Sequence, residues 1–399
     1  MKVLPLLFIP LALASGCSGR GLVSVAREDL FSLDIGRLED QIDLSNLEGS
    51  RSNHQTSLAM RDGLFYISDT NGAKIVRYNS YGDILFVIYN EENNPPPVTL
   101  EWNIDEQGVA TRWTITHPLM EPGALTVDSR KHIYVADRLD SERRGFDVES
   151  KALLDQVVLH FDADGRLVGF LGQEGLGGRP FPRITGLYAS VEDELAVVCL
   201  LSDGWNIYWF NAEGTLLYLI HLPNDSIPIP PDRNTDYASV DMVAAAPDER
   251  KLFFKVDYYR NIYDESDIPS GVESDSSVIW IMGVEDGSYG EQIEVPFFEY
   301  TTTENNQKVT QSLLYSMLGV IKNGRVFLSF PVEGGYSLLV LTAGSRERRQ
   351  GFIQVRSEEL QYNTFNLSAE GILSGLLATE YKVKLVWWRT DRLLGEVTL

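Results

Sequence analysis

The chain has 399 residues, 44% of them hydrophobic, which is enough apolar material for one large β architecture or two ordinary domains. Its 34 basic and 57 acidic residues leave a formal charge of −23, a field that disfavours nucleic acid and anionic membrane surfaces as direct partners. Cys17 and Cys199 are the only cysteines, so a disulfide-rich scaffold is excluded and stability has to come from the core.

In chain order, the first feature is a single charge at Lys2 followed by an apolar segment, Val3 to Ala14. That is well short of the ~20 apolar residues a membrane helix needs, and it reads as the h-region of an export signal. It ends in Ala14-Ser15-Gly16-Cys17. This motif resembles the lipobox of bacterial lipoproteins, with Ala14 where Leu is commonest, a looser form similar to that of spirochaetes. The resemblance implies cleavage after residue 16 and lipidation of Cys17 with fatty acyl chains such as palmitate. Residues 17–28 would then form the anchor and linker, leaving no intramolecular disulfide. It also implies a protein of the bacterial cell envelope, held on the periplasmic or surface face of a membrane.

From residue 29 onward the local signal is β: apolar, β-branched and aromatic runs of four to eight residues, bounded by Gly, Asp and Asn. The runs repeat. "LAMRDGLFYISDTNGAKIVRYNSYGDILFVI" from Leu58 matches "LTVDSRKHIYVADRLD" from Leu125, continued as "QVVLHFDADGRLVGFLG". Further copies start at Leu187 and Val240, and two fainter ones fill the remainder. Each unit of four short strands cannot bury both sheet faces alone, so radial packing into a β-propeller is expected. The expected fold is all-β, one propeller domain over 29–399 with six blades, seven being the alternative. "DLFSLDIGRLEDQIDL", residues 29–44, would supply the outer strand that closes the ring.

"GALTVDSRKHIYVAD" and "VVLHFDADGRLVGFLG" are similar to the NHL type of propeller repeat. The likeness is good over 123–172 without the insertion, fair over 57–88 and 184–220, and weak beyond 240. Together with the lipobox it resembles a group of spirochaetal lipoproteins, and it brings no catalytic residues.

Recurring residues are read as structural. Asp69, Asp137, Asp203 and Asp257, at the ends of second strands, suit carboxylates that accept backbone N–H groups, and Gly82, Gly165 and Gly214 suit turns needing positive φ. Sites are expected where the repeat is broken. Residues 93–120 suggest a β-hairpin projecting from one face, with Trp102 and Trp113 across its strands. Residues 138–155 carry Arg138, Arg143 and Arg144, a basic cluster suited to an anionic group. Residues 264–277, "DESDIPSGVESDSS", read as an acidic solvated loop beside Tyr258, Tyr259 and Tyr263. Asn53 and His54, just before the first strand of the first unit, would reach the mouth of the axial channel.

No two of the five histidines are spaced as a ligand pair, so neither a catalytic nor a metal-binding set is assigned. The expected function is a non-enzymatic binding or scaffold module for another envelope protein. The alternatives are a calcium-dependent propeller hydrolase of lactonase type, for which Asp128 and Asp241 are the available first-strand carboxylates, and a glycan-binding propeller using exposed Trp.

Overall fold

The computed structural model describes residues 23–44, 55–98, 100, 112–231, 233, 235–304 and 307–395. Its strands form six antiparallel blades, and the innermost strands of successive blades touch in a closed cycle, Ser57–Arg61, Leu125–Val127, Arg183–Ala189, Tyr237–Ala245, Ser316–Ile321 and Tyr362–Leu367. The protein is a six-bladed β-propeller. Each blade is apolar on both faces because it packs between two others. Large clusters of buried residues accordingly occupy all six seams, such as Phe65, Ile67 and Tyr78 with Leu376 and Leu385 between blades 6 and 1.

The ring closes as the sequence suggests. Arg27–Ile35 pairs antiparallel with Lys382–Trp388, so the N-terminal segment supplies the fourth strand of the last blade, and Gln41–Ile42 adds a parallel fifth. A buried ion cluster fastens this closure: the Glu359 carboxylate, in the connection between blades 5 and 6, accepts from Arg27 at 2.6 and 2.8 Å and from Lys384 Nζ at 2.9 Å. Burial opposes ionisation of Glu359, but the hydrogen bonds from Arg27 and Lys384 outweigh it and hold the carboxyl down at about 2.

The repeat glycines sit where left-handed backbone is required. Asn79, Asp162 and Asn211 each open a five-residue turn and accept, through the side-chain oxygen, the N–H groups two and four residues on. The fourth residue of each turn has positive φ, +87° at Gly82, +82° at Gly165 and +79° at Gly214. These turns also wedge the blades together. A Cβ on Gly82 would lie 2.8 Å from Phe31 of blade 6, and one on Gly165 would lie 2.9 Å from Ile115 of blade 1.

Two expectations about insertions are corrected. In the segment 93–120, residues 101–111 lie outside the described residues, and Trp113–Thr116 does not project: it runs parallel to Ile84–Tyr89 as the fifth strand of blade 1. Its alternating pattern is satisfied at the blade edge, where the Trp113 ring packs on Phe86 at 5.7 Å and its Nε1–H donates to the Asp164 carbonyl at 2.7 Å. The segment 264–277 is not an acidic loop. Lys251–Tyr263 and Pro269–Gly283 pair along their whole length, leaving only 264–268 as a turn. Acidic residues are compatible with strand here because both faces of the outer part are solvated, and Arg260 faces Glu273 across the pair at 2.5 Å.

Candidate functional site: the insertion face and the channel mouth

Antiparallel order puts the start of each first strand, the end of each second, the start of each third and the end of each fourth on the same side of the disc. Connections on the opposite side are turns of no more than five residues. Every long connection therefore emerges on one face, including 90–124, 139–155, 224–236 and 295–315.

Two hairpins rise from this face. The paired strands of blade 4, 13 and 15 residues long, outrun second strands of six residues in blades 1, 2, 3 and 6. The excess is an arm of roughly 20 Å at ~3.3 Å per residue. It carries exposed Ile262, Tyr263, Ile268 and Val272, with exposed Tyr237 beside its root. Its tip is an ordered turn in which Asp264 accepts from the N–H groups of Ser266 and Ile268 at 2.8 and 3.0 Å. Of the tyrosines adjoining it, Tyr258 is buried, its hydroxyl donating to the Pro228 carbonyl and accepting from Trp280 Nε1 at 2.8 Å, while Tyr259 is partly buried opposite Tyr237. The second hairpin, Phe298–Glu304 with Gln307–Leu313, is rooted by Phe298 stacked on Phe330 at 4.4 Å and displays Tyr300. A shorter pair, Gly145–Asp147 with Ala152–Leu154, exposes Phe146 and its cross-strand neighbour Leu153.

The three arginines of the second-blade insertion are engaged separately. Arg138 is clamped between Asp155 at 3.0 Å and Glu121 at 3.1 Å, Arg144 donates to the Leu139 carbonyl at 2.8 Å, and Arg143 lies over the Phe170 ring at 5.8 Å. Cys17, Asn53, His54 and Trp102 lie outside the described residues. Cys199 is free and wholly buried, and burial pushes its thiol well above the usual value.

The recurrent aspartates divide. Asp69 accepts from the N–H groups of Asp43 and Gly72, and Asp137 from those of Met120 and Glu121, each tying an incoming connection to the blade it enters. Burial dominates over these bonds and raises both carboxyls to about 6. Asp257 instead pairs with buried Lys255 at 2.6 Å inside a long strand, and Asp203 is exposed in a turn. Asp128 and Asp241 do not meet on the axis. Asp128 is buried in its own turn, bound by the His132 N–H and Arg130, whereas Asp241 accepts from the Met317 N–H at 2.9 Å and faces Lys255 at 3.4 Å.

On the same face the axial channel opens into a cup of about 370 Å³ lined by Gln55, Ser57, Arg183, Thr185 and Thr364, with Leu125, Leu187 and Tyr188 at its base. Those three residues also line a second cavity of about 210 Å³ on the far side, whose lining includes Arg61 and Glu370, so they stand between the two parts of the channel. The Tyr188 hydroxyl is tied to the Val243 carbonyl at 3.1 Å. A bulge at Thr185, between the paired residues Ile184 and Gly186, re-aims the first strand of blade 3 at the mouth. The one sequence signal for this site was an arginine opening a first strand, "RITGLYA", where the other five open on the uncharged Ser57, Leu125, Tyr237, Ser316 and Tyr362.

No protein-family model matches the sequence, and no curated protein matches it. Among solved structures it is similar to a gluconolactonase from Xanthomonas campestris, with 12% identity over 92% of this chain and 97% of that one, at a TM-score of 0.41. It is also similar to the β-propeller domain of the Trilobed protease from Pyrococcus furiosus, with 12% identity over 84% of this chain and 95% of that one, at a TM-score of 0.40. A putative gluconolactonase gives 10% identity over 92% and 94%, at a TM-score of 0.39. At these identities the likeness extends to the fold alone.

Proposed function

We propose that the protein is a binding module of the bacterial cell envelope, lipid-anchored through Cys17, that presents its insertion face to a protein partner. The observation that carries this reading is the blade 4 arm. Ile262, Tyr263, Ile268 and Val272 are exposed on a long paired hairpin whose tip is hydrogen-bonded into shape, and large apolar and aromatic side chains on a preorganised element are what a partner's pocket needs. Lipidation rests on the Ala14-Ser15-Gly16-Cys17 motif, and the NHL-like repeat supplies the rigid support.

The test is crosslinking and pull-down from intact cells with the native chain and with a variant in which residues 260–273 are replaced by Asn-Gly, which joins the opposed pair Tyr259 and Ser274 by a two-residue turn. Loss of a specific partner, with the propeller still folded, is the expected result. An unchanged partner set overturns the reading. Separately, Cys17→Ser is expected to leave the membrane fraction or to stall in maturation; a variant that matures normally and still partitions with membranes places the anchor elsewhere.

A further inference from the structure

The channel cup is electrostatically at odds with the chain around it. In a protein of charge −23, the one charged residue among those lining the cup is a cation, Arg183, exposed at the start of the first strand of blade 3. Among the described residues its guanidinium has no carboxylate or carbonyl partner, whereas Arg27, Arg130, Arg138 and Arg250 are each held by two acidic side chains. Around it stand neutral donors: the hydroxyls of Ser57 and Thr364 and the amide of Gln55. The Thr185 hydroxyl is spent inside the blade, donating to the Val198 carbonyl at 3.2 Å, so its oxygen is left as an acceptor.

We propose that this cup binds a small oxyanion-bearing molecule, its carboxylate or phosphate taken by Arg183 and its remaining polar groups by Ser57, Thr364, Gln55 and Thr185. The chemistry follows from the inventory. A guanidinium presents a planar fork of donors that matches two oxygens of a carboxylate or phosphate, and the hydroxyl and amide donors add to the same sign of potential. The cup lies within the range of roughly 300–1,000 Å³ typical of small-ligand sites. Leu125, Leu187 and Tyr188 close its base, so a ligand enters and leaves by the insertion face. The acidic surface elsewhere repels free anions, which leaves this mouth as a local exception in the field. The inference does not depend on the arm holding a partner, since it uses residues of blades 1, 2, 3 and 6 and none of the arm.

The test is calorimetric titration of the full chain at low ionic strength with N-acetylglutamate, inorganic phosphate and the uncharged counterpart N-acetylglutamate diamide. Binding of at least one anion is expected, weakened by added salt, with the diamide not detected. A carboxylate-only or phosphate-only response assigns the oxyanion, and either supports the site. Arg183→Gln should bind the anion about 10- to 100-fold more weakly, the worth of one charge-assisted forked contact, and Arg183→Lys should fall between that variant and the native chain. Arg143→Gln, which removes an exposed arginine outside the cup, should change nothing; thermal melts of all the variants show that they are folded. The proposal is overturned if no anion binds at about 10 mM, a level at which even millimolar sites fill, if the uncharged diamide binds as well as N-acetylglutamate, or if Arg183→Gln and Arg143→Gln behave alike.

Discussion

On one side of the disc Asn79, Asp162 and Asn211 make the same glycine-containing turn three times over, whereas on the other side the connections range from short turns to the 35-residue span 90–124. The repeated turns satisfy their own backbone and wedge one blade against the next, so their residues are already committed to structure. The long connections are tied at their roots by Asp69, Asp137 and Glu359, and the hairpins of the insertion face display side chains, among them Tyr263, Ile268 and Tyr300, that the fold does not bury. A propeller thus separates two requirements that compete within a single loop: one face holds the ring together, and the other is left free to vary.

That contrast can be broken at the roots first. Glu359→Ala should cost about 3–5 kcal/mol, because Arg27 and Lys384 would be left partly buried without their shared carboxylate; urea denaturation measures it, and a loss below about 1 kcal/mol would mean that the cluster does not fasten the ring. The same group makes an acid limb. Its folded carboxyl is held below the unfolded one, so its stabilisation is complete above the unfolded value of ~4.3 and is lost as the pH falls towards about 2.

Asp137 has the opposite sign. Its carboxyl is raised to about 6, so the folded state binds the extra proton and the stabilisation is present below the unfolded value, then lost as the pH rises through about 6. In Asp137→Asn that dependence should flatten: relative to the variant, the native chain should lose about 2–3 kcal/mol between pH 4 and 7, by denaturation at matched ionic strength. An unchanged pH profile would show that Asp137 stays ionised across the range.

On the turn face, Gly165→Ala combines a positive φ with a 2.9 Å approach to Ile115 and should cost about 1–3 kcal/mol. The smallest effect belongs to the arm. Replacing 260–273 by Asn-Gly should change stability by no more than about 0.5 kcal/mol, since among the described residues its side chains are largely exposed and its hydrogen bond outside the arm is that of the Asn261 N–H to Asp236. A large loss there would mean that the arm belongs to the core and would remove the distinction between the faces.

The sequence made the repeats legible because they rest on local chemistry. A turn opened by Asn79 and closed by Gly82, or a strand such as "LAVVCLL", is specified by its own residues and needs no distant partner to be recognised. The closing strand Arg27–Ile35 was also readable, since an unpaired β segment before the first repeat has few places to go. What escaped were features set by nonlocal pairing. Trp113–Thr116 alternates as a hairpin strand would, and nothing local says that it lies along the edge of blade 1 instead. The acidic stretch after Asp264 looked like a loop because charge suggests solvent, yet solvent reaches both faces of an arm that is fully paired. Arg183 escaped because its meaning depends on Ser57 and Thr364, brought to the same mouth from 126 and 181 residues away.

The closing strand also gives the molecule a mechanical character. The chain enters along the rim, first at Val23–Ser24 beside blade 5 and then along Arg27–Ile35, which completes blade 6. Tension drawn along that segment loads its ladder of backbone bonds lengthwise, so that the bonds resist together in shear instead of peeling one at a time. In a chain anchored at Cys17, as proposed, the tether would lead directly into the clasp. A pull on this end strong enough to strip Arg27–Ile35 from Lys382–Trp388 would open the ring.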